Sequence, residues 1–277
     1  MKSLTRYIQE KLVIKKSPSF KHKYFPETKE ELKDLINQRI KTEGNNVDLN
    51  DVDTSKITDM SDLFRDLDFN GNISNWDVSS VTDMGSMFWE CKDFNQDISN
   101  WDVSNVKNMD SMFYSCASFN QDISSWNVYN VENMYRMFWG CKNFNQDISR
   151  WNVSKVIDMD SMFSGCKSFN QDISLWDVSN VIDMRNMFSK CVNFNQDISR
   201  WNVSKVTDMD FMFCQCKLFN QDISRWDVSR VTTMVSMFYY SESFNQDISN
   251  WDVSNVKYYS YAFLSCPIEE KYKPKFK

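Results

Sequence analysis

Apolar positions recur along this chain as a fixed set of nine. Counted from Phe94, the set is Phe94, Ile98, Trp101, Val103, Val106, Met109, Met112, Phe113 and Cys116, and it returns 25 residues later. The string Phe-Asn-Gln-Asp-Ile-Ser-x-Trp opens at Phe94, Phe119, Phe144, Phe169, Phe194, Phe219 and Phe244. An altered copy, Phe-Asn-Gly-Asn-Ile-Ser-Asn-Trp, opens at Phe69. Self-similarity at a period of roughly 20 to 50 residues marks a stacked array.

Each unit divides into two halves. The half from Phe94 to Val103 sets its apolar residues among Asn, Asp and Ser, which predicts a short strand with turns. Val106, Met109, Met112, Phe113 and Cys116 are spaced 3, 3, 1 and 3, the face of a short helix of about two turns. The expected fold is therefore an α/β repeat solenoid of about nine coils, 24–25 residues each. It would carry a parallel sheet on one side and short helices on the other. Strands stack about 4.8 Å apart, so nine coils would make a sheet roughly 40 Å long.

The ends differ from the middle. In the first coil Leu49, Val52, Ile57, Met60, Leu63, Phe64 and Leu67 take the repeat positions, with one residue missing after Leu67. Before it, Thr28 with Glu31 makes a capping box for a helix whose apolar face is Leu32, Leu35, Ile36 and Ile40, ended by Gly44. An array must cover its terminal coil, and this helix is the expected N-terminal cap. Further upstream, Ser3–Ile14 is expected to form a short amphipathic helix, and Lys15–Pro26 an extended tether or docking peptide. In the last coil Tyr258, Tyr259, Tyr261 and Ala262 replace the Met-containing face, as a C-terminal cap would. The expected divisions are a basic leader at 1–27, the capping helix at 28–44, the solenoid at 45–268 and a basic tail at 269–277.

The helical half, Val-x2-Met-x2-Met-Phe-x2-Cys-x2-Phe from Val106 to Phe119, resembles the BspA-type leucine-rich repeat. The other half resembles the 25-residue variant of mycoplasma lipoproteins and other bacterial surface proteins, some of them phage-encoded. The resemblance implies a leucine-rich-repeat-like solenoid and a binding role, often adhesion.

Charge narrows the partner. The net charge of −6 conceals a basic start and an acidic solenoid. An acidic body is a poor match for phosphate backbones, so nucleic acid is not the expected partner. No stretch reaches the roughly 20 apolar residues of a membrane helix, so no membrane insertion is expected. The first residues lack the apolar core of a signal peptide, so a cytoplasmic or virion-associated location is expected over secretion.

Candidate chemistry repeats with the coil. Cys91, Cys116, Cys141, Cys166, Cys191, Cys216 and Cys266 share one position, and reduced thiols filling the core are expected there. One histidine and a one-dimensional thiol ladder do not converge on a metal, so neither metal nor cofactor is expected. Asp97 and its six equivalents are expected to accept backbone N–H groups in their own turns; calcium bridging between coils is the alternative. Asn95 and its equivalents are expected to form an amide ladder. With no nucleophile paired to a base and no phosphate loop, the chain is not expected to be an enzyme.

Positions that vary between coils carry the information about a partner. Trp89, Tyr114, Trp139 and Tyr239 directly follow the core phenylalanine. They either point outward as a binding stripe for a protein or a sugar ring, or pack over the groove between coils. Arg150 with Lys155, Arg200 with Lys205, and Arg225 with Arg230 recur at an offset of five. These form a basic track for an acidic partner, or neutralise nearby aspartates. The expected function is a non-enzymatic protein- or glycan-binding module. The alternative is a structural or decoration component of a phage particle or other assembly, docked through residues 1–27.

Overall fold

The computed structural model describes residues 22–277. The amphipathic helix expected at Ser3–Ile14, and most of the docking segment, lie outside the described residues. Helix α1 spans Lys29–Glu43. Thr28 accepts the Glu31 N–H at 3.2 Å, and Glu31 reaches back to the Glu27 N–H at 2.8 Å. Gly44 ends the helix at φ 88°, its N–H returning to the Ile40 carbonyl at 2.8 Å. Leu32 and Ile36 are fully buried against the first coil. Beside them lies Arg39, buried and held by Glu43, by Asp51 at 3.0 Å and by the Asp48 carbonyl at 3.0 Å. Ahead of α1, Tyr24 makes a parallel bridge to Val52.

Nine coils then stack in parallel, joined by single bridges from Asp59–Asp83 through to Thr233–Tyr258. The solenoid is as the repeat predicts, but its two halves are built otherwise. Among the described residues α1 is the one α-helix, and the bridges stand outside any extended strand. Each coil is a chain of tight turns closed by i→i+3 bonds, such as Met112 N–H to Met109 O, Cys116 N–H to Phe113 O and Val106 N–H to Val103 O. The expected helices fail for a definite reason. Ser111 and Ser115, at φ 53° and 59°, are left-handed, as are their equivalents in the other coils. Left-handed residues inside the segment prevent an i→i−4 ladder from propagating. Alternate N–H groups point out of the coil instead. Met84, Ser86, Phe88 and Glu90 donate to the carbonyls of Asn108, Asp110, Met112 and Tyr114 in the next coil, at 2.7–3.0 Å. The half that looks helical in sequence is the hydrogen-bonded wall.

The expected strand half is bonded through side chains. Asn120 N–H donates to Asn95 Oδ1 at 2.9 Å, and Gln121 Nε2 to the Asn95 carbonyl at 2.8 Å. Trp126 Nε1 donates to the buried Ile98 carbonyl at 3.1 Å. These bonds recur coil after coil. Asn95 and Trp101 thus supply the polar partners that a pleated strand would take from its own backbone.

Between the two walls runs an aromatic core. Phe113 stacks on Phe88 and Phe138 at 5.5 and 5.6 Å, and on Phe119 at 4.0 Å. All of these rings are fully buried, each stabilising the coil by about 2–3 kcal/mol. Every cysteine is a free thiol. From Cys91 to Cys216 each ladder thiol donates to the core phenylalanine carbonyl of the preceding coil, Cys141 to Phe113 at 2.9 Å among them, while Cys266 donates to Phe244 at 3.4 Å. Burial pushes the Cys91 thiol up to about 12, which makes it an unreactive core residue.

At the far end, the chain after Cys266 folds back. Ile248 N–H donates to the Tyr272 carbonyl at 3.0 Å, and Phe276 stacks on Tyr259 at 4.2 Å. This covers part of the last coil, while Tyr258 and Tyr261, on either side of Tyr259, remain 65% exposed.

Candidate interaction surface

Because each coil repeats the backbone of the last, side chains one period apart lie directly over one another. The position after the core phenylalanine therefore becomes a column on the surface. Trp89 and Tyr114 stack at 3.7 Å with 5° between their planes, and Tyr114 and Trp139 at 4.4 Å and 5°. The Arg65 guanidinium lies 4.6 Å from the Trp89 ring centroid and is held by Asp62 at 2.9 Å. The result is a cation-capped aromatic stack across four coils, half-buried, with ring faces against each other. The rings pack over the inter-coil grooves, and together they form one surface feature.

Tyr239 does not join the stack. Ser164, Ser189 and Cys214 occupy the three intervening coils, and Tyr239 packs edge-on against Tyr240 at 4.5 Å and 71°. Arg65 is a member that the sequence reading misses. The first coil is one residue short, so Arg65 stands 24 rather than 25 positions before Trp89.

The basic track separates into two rows. Lys155 Nζ donates to Asn130 Oδ1 at 2.8 Å and sits 4.1 Å from the Tyr129 ring centroid, while Lys205 Nζ donates to Asn180 Oδ1 at 2.7 Å. With Ile157 and Ile182, about half exposed, they line a shallow groove. Arg150, Arg200 and Arg225 form the second row, exposed beside the turn aspartates, and Arg230 extends the lysine row at the same repeat position as Lys155 and Lys205. Hydrogen bonds from Ser149 and Ser199 hold Asp147 and Asp197 below the usual carboxylate value, with a smaller pull from Arg150 and Arg200.

The aspartate ladder is committed to its own turns. Asp97 Oδ1 accepts the Ser99 N–H at 2.9 Å, and the same bond recurs at Asp122, Asp147, Asp172, Asp197, Asp222 and Asp247. Among the described residues no group of three or more His, Cys, Asp or Glu side chains is placed to hold a metal ion. None of their helices is long and apolar enough to cross a membrane.

A second acidic row, on the hydrogen-bonded wall, is missed by the sequence reading. Arg185 pairs there with Asp183 at 2.8 Å, Asp160 at 3.3 Å and Asp208 at 3.6 Å. Burial, with Asp210 and Asp183 adding like charge, raises the Asp208 carboxyl to about 6. Burial raises Asp110, Asp158 and Asp160 as well.

Residues 31–139, 124–209 and 186–268 match the family described as "Mycoplasma protein of unknown function, DUF285". The chain belongs to this family. The matches run through the whole stack, from α1 to the last coil. No curated protein matches the chain. Among solved structures, TLR13 in a complex with ssRNA13 is 11% identical, with a TM-score of 0.28, over 84% of this chain and 38% of that one. The functional domain of InlJ from Listeria monocytogenes, described as including a cysteine ladder, is 10% identical with a TM-score of 0.22. That likeness covers 78% of this chain and 55% of InlJ's, so the chain spans well under two thirds of either neighbour.

Proposed function

We propose that this repeat protein is a non-enzymatic interaction module that recognises a protein or glycan through the face carrying Arg65, Trp89, Tyr114 and Trp139. The observation that supports it is the stack itself. Three large rings and a guanidinium sit on the surface at a position where the next three coils carry Ser164, Ser189 and Cys214. Coil stability does not require them, since Ser164 and Ser189 occupy the same position in coils with the same core. Stacking fixes their geometry before a partner arrives, which lowers the entropic cost of binding. The test is to change Trp89, Tyr114 and Trp139 together to Ala and compare partner capture and melting temperature with the parent. Capture lost at an unchanged melting temperature supports the reading; capture retained refutes it.

One observation favours a second reading, a structural part of a larger assembly. In the last coil the N–H groups of Tyr259, Tyr261, Phe263 and Ser265 have no backbone acceptor among the described residues, while their equivalents in earlier coils donate onward. An open ladder edge beside exposed Tyr258 and Tyr261 is suited to receiving another chain. Light scattering across a concentration series tests it, and a strictly monomeric chain at every concentration removes this support.

A further inference from the structure

Where the aromatic stack ends, a cleft of about 380 Å³ opens. Trp139 forms one wall. Tyr114 covers one face of its indole, and the next residue in the column is Ser164, so no ring covers the other face. The floor is Ser115, Gly140, Ser164 and Gly165. Around the rim stand Lys92, Lys142, Lys167 and Lys190, all exposed. Lys92 pairs with Glu90 at 3.7 Å; among the described residues no carboxylate lies within ion-pair distance of Lys142, Lys167 or Lys190.

Two features mark the cleft as more than an accident of surface shape. The first is the placement of glycine. Gly140 and Gly165 are left-handed, at φ 73° and 78°, which ordinarily explains a glycine. Here it does not, because Glu90, Ser115, Lys190, Gln215 and Tyr240 hold the same position in other coils at φ 55° to 61°. A Cβ on Gly165 would meet nothing closer than 3.5 Å, at Gly140 Cα. What the two glycines change is the absence of side chains over the cleft floor. The second feature is charge. On a chain of net charge −6, a compact group of lysines with three lacking acidic neighbours is a local reversal that attracts anions.

We infer that this cleft binds an acidic saccharide, a sugar ring bearing carboxylate or sulfate groups. The apolar C–H face of the ring would continue the stack on the free face of Trp139, in the space left by Ser164. Lys142, Lys167 and Lys190 would take the anionic substituents. An acidic peptide would use the lysines but leave the indole face unfilled, and a nucleic-acid strand would carry its phosphates along an otherwise acidic solenoid. The inference rests on the proposed interaction face and names the ligand class for one end of it.

The test is titration calorimetry of the full chain with three oligosaccharides of equal length: sulfated, uronic-acid-containing and neutral. An oligo-aspartate peptide and a short single-stranded DNA are added as non-sugar polyanions. Binding of one or both acidic sugars, weakening with salt and stronger than the neutral sugar and both polyanions, is the expected result. The two acidic sugars distinguish sulfate from carboxylate. Trp139→Ala should weaken binding by about tenfold. Gly165→Gln places in the cleft the residue that position 215 already carries, so the coil should fold normally while the sugar is shut out. Tyr239→Ala, three coils beyond the slot, should leave binding unchanged. No acidic-sugar binding, equal binding of neutral sugar or of either polyanion, or insensitivity to Gly165→Gln overturns the inference. Loss of partner capture in the Trp89, Tyr114 and Trp139 variant would still support the broader reading, so the two fail separately.

Discussion

If side chains hold the Phe-Asn-Gln half of each coil, removing one amide there should cost a definite amount. Asn145→Ala deletes the acceptor of the Asn170 N–H, a bond of 2.9 Å, and leaves the Gln171 bond to the Asn145 carbonyl in place. The loss is one hydrogen bond, and Asn170 is exposed enough for water to reach its freed N–H. The expected destabilisation is therefore about 1 kcal/mol, at the lower end of the range for an orphaned backbone donor. Asn95, Asn145 and Asn195 stand in alternate coils and accept from Asn120, Asn170 and Asn220. These bonds share no residue, and Asn195 Oδ1 also accepts from Gln221 Nε2 at 2.9 Å, so the triple alanine variant should lose at least about 3 kcal/mol by addition. Asn145→Asp keeps the acceptor and should be nearly neutral. Urea unfolding followed by tryptophan fluorescence reads all of these, with Asn100→Ala, at an exposed position, as the surface control. The reasoning is refuted if Asn145→Ala matches that control, or if Asn145→Asp is as costly as Asn145→Ala.

Three further outcomes follow from the same structure. Cys141→Ser should be nearly neutral, because Ser241 already occupies the thiol position, fully buried, with its hydroxyl donating to the Phe213 carbonyl at 2.6 Å. Cys141→Ala loses the donor and leaves a void, and should cost about 1–2 kcal/mol in the same unfolding assay. Stability should peak in mild acid, read as melting temperature across pH 3–8. Asp208, raised from 3.8 to about 6, binds a proton in the folded chain before it does in the unfolded one, so its contribution favours folding below about pH 4 and is lost as pH rises through 6. Asp97, Asp122 and Asp147 are lowered by their serine bonds, and their contribution, present above 3.8, is lost as pH falls through their folded values. The acid-side gain should disappear in Asp208→Asn; a melting temperature that is flat or falls from pH 7 to 5 contradicts the assignment. Lastly, deleting residues 269–277 should destabilise the last coil first, since Tyr272 accepts from Ile248 and Phe276 covers Tyr259. Hydrogen exchange at 244–266 checks this, and protection there unchanged by the deletion would show that the tail is no cap.

The period, the inward set and the number of coils were legible because one backbone shape repeats. All nine positions from Phe94 to Cys116 are buried, and so are their equivalents in the regular coils. The local conformation was not legible from the same spacing. Met109, Met112, Phe113 and Cys116 would share a helix face, but a run of i→i+3 turns also brings every third residue inward, so the pattern does not distinguish the two. The distinction lies in Ser111 and Ser115, and in Arg136, Phe211 and Lys190 elsewhere, all left-handed. None is a residue type that advertises a left-handed turn. What holds them there is the inter-coil hydrogen bonding of the alternate N–H groups, a property of the stack that no single unit displays.

The surface follows a related logic. Trp89, Tyr114 and Trp139 stand out in sequence because they break the repeat by being large. The cleft breaks it by being small, and small residues draw no attention until their neighbours are in place. Of the five glycines in the chain, two fall one coil apart beside an indole with one uncovered face and between lysines without acidic neighbours. Side chains are tolerated at that backbone position everywhere else in the array, from Asp66 to Ser265. Conformation therefore does not account for the pair, and the open floor they create does. In a stack where the repeated residues serve the coil, the proposed recognition of a partner rests on what the variable residues add and equally on what they leave out.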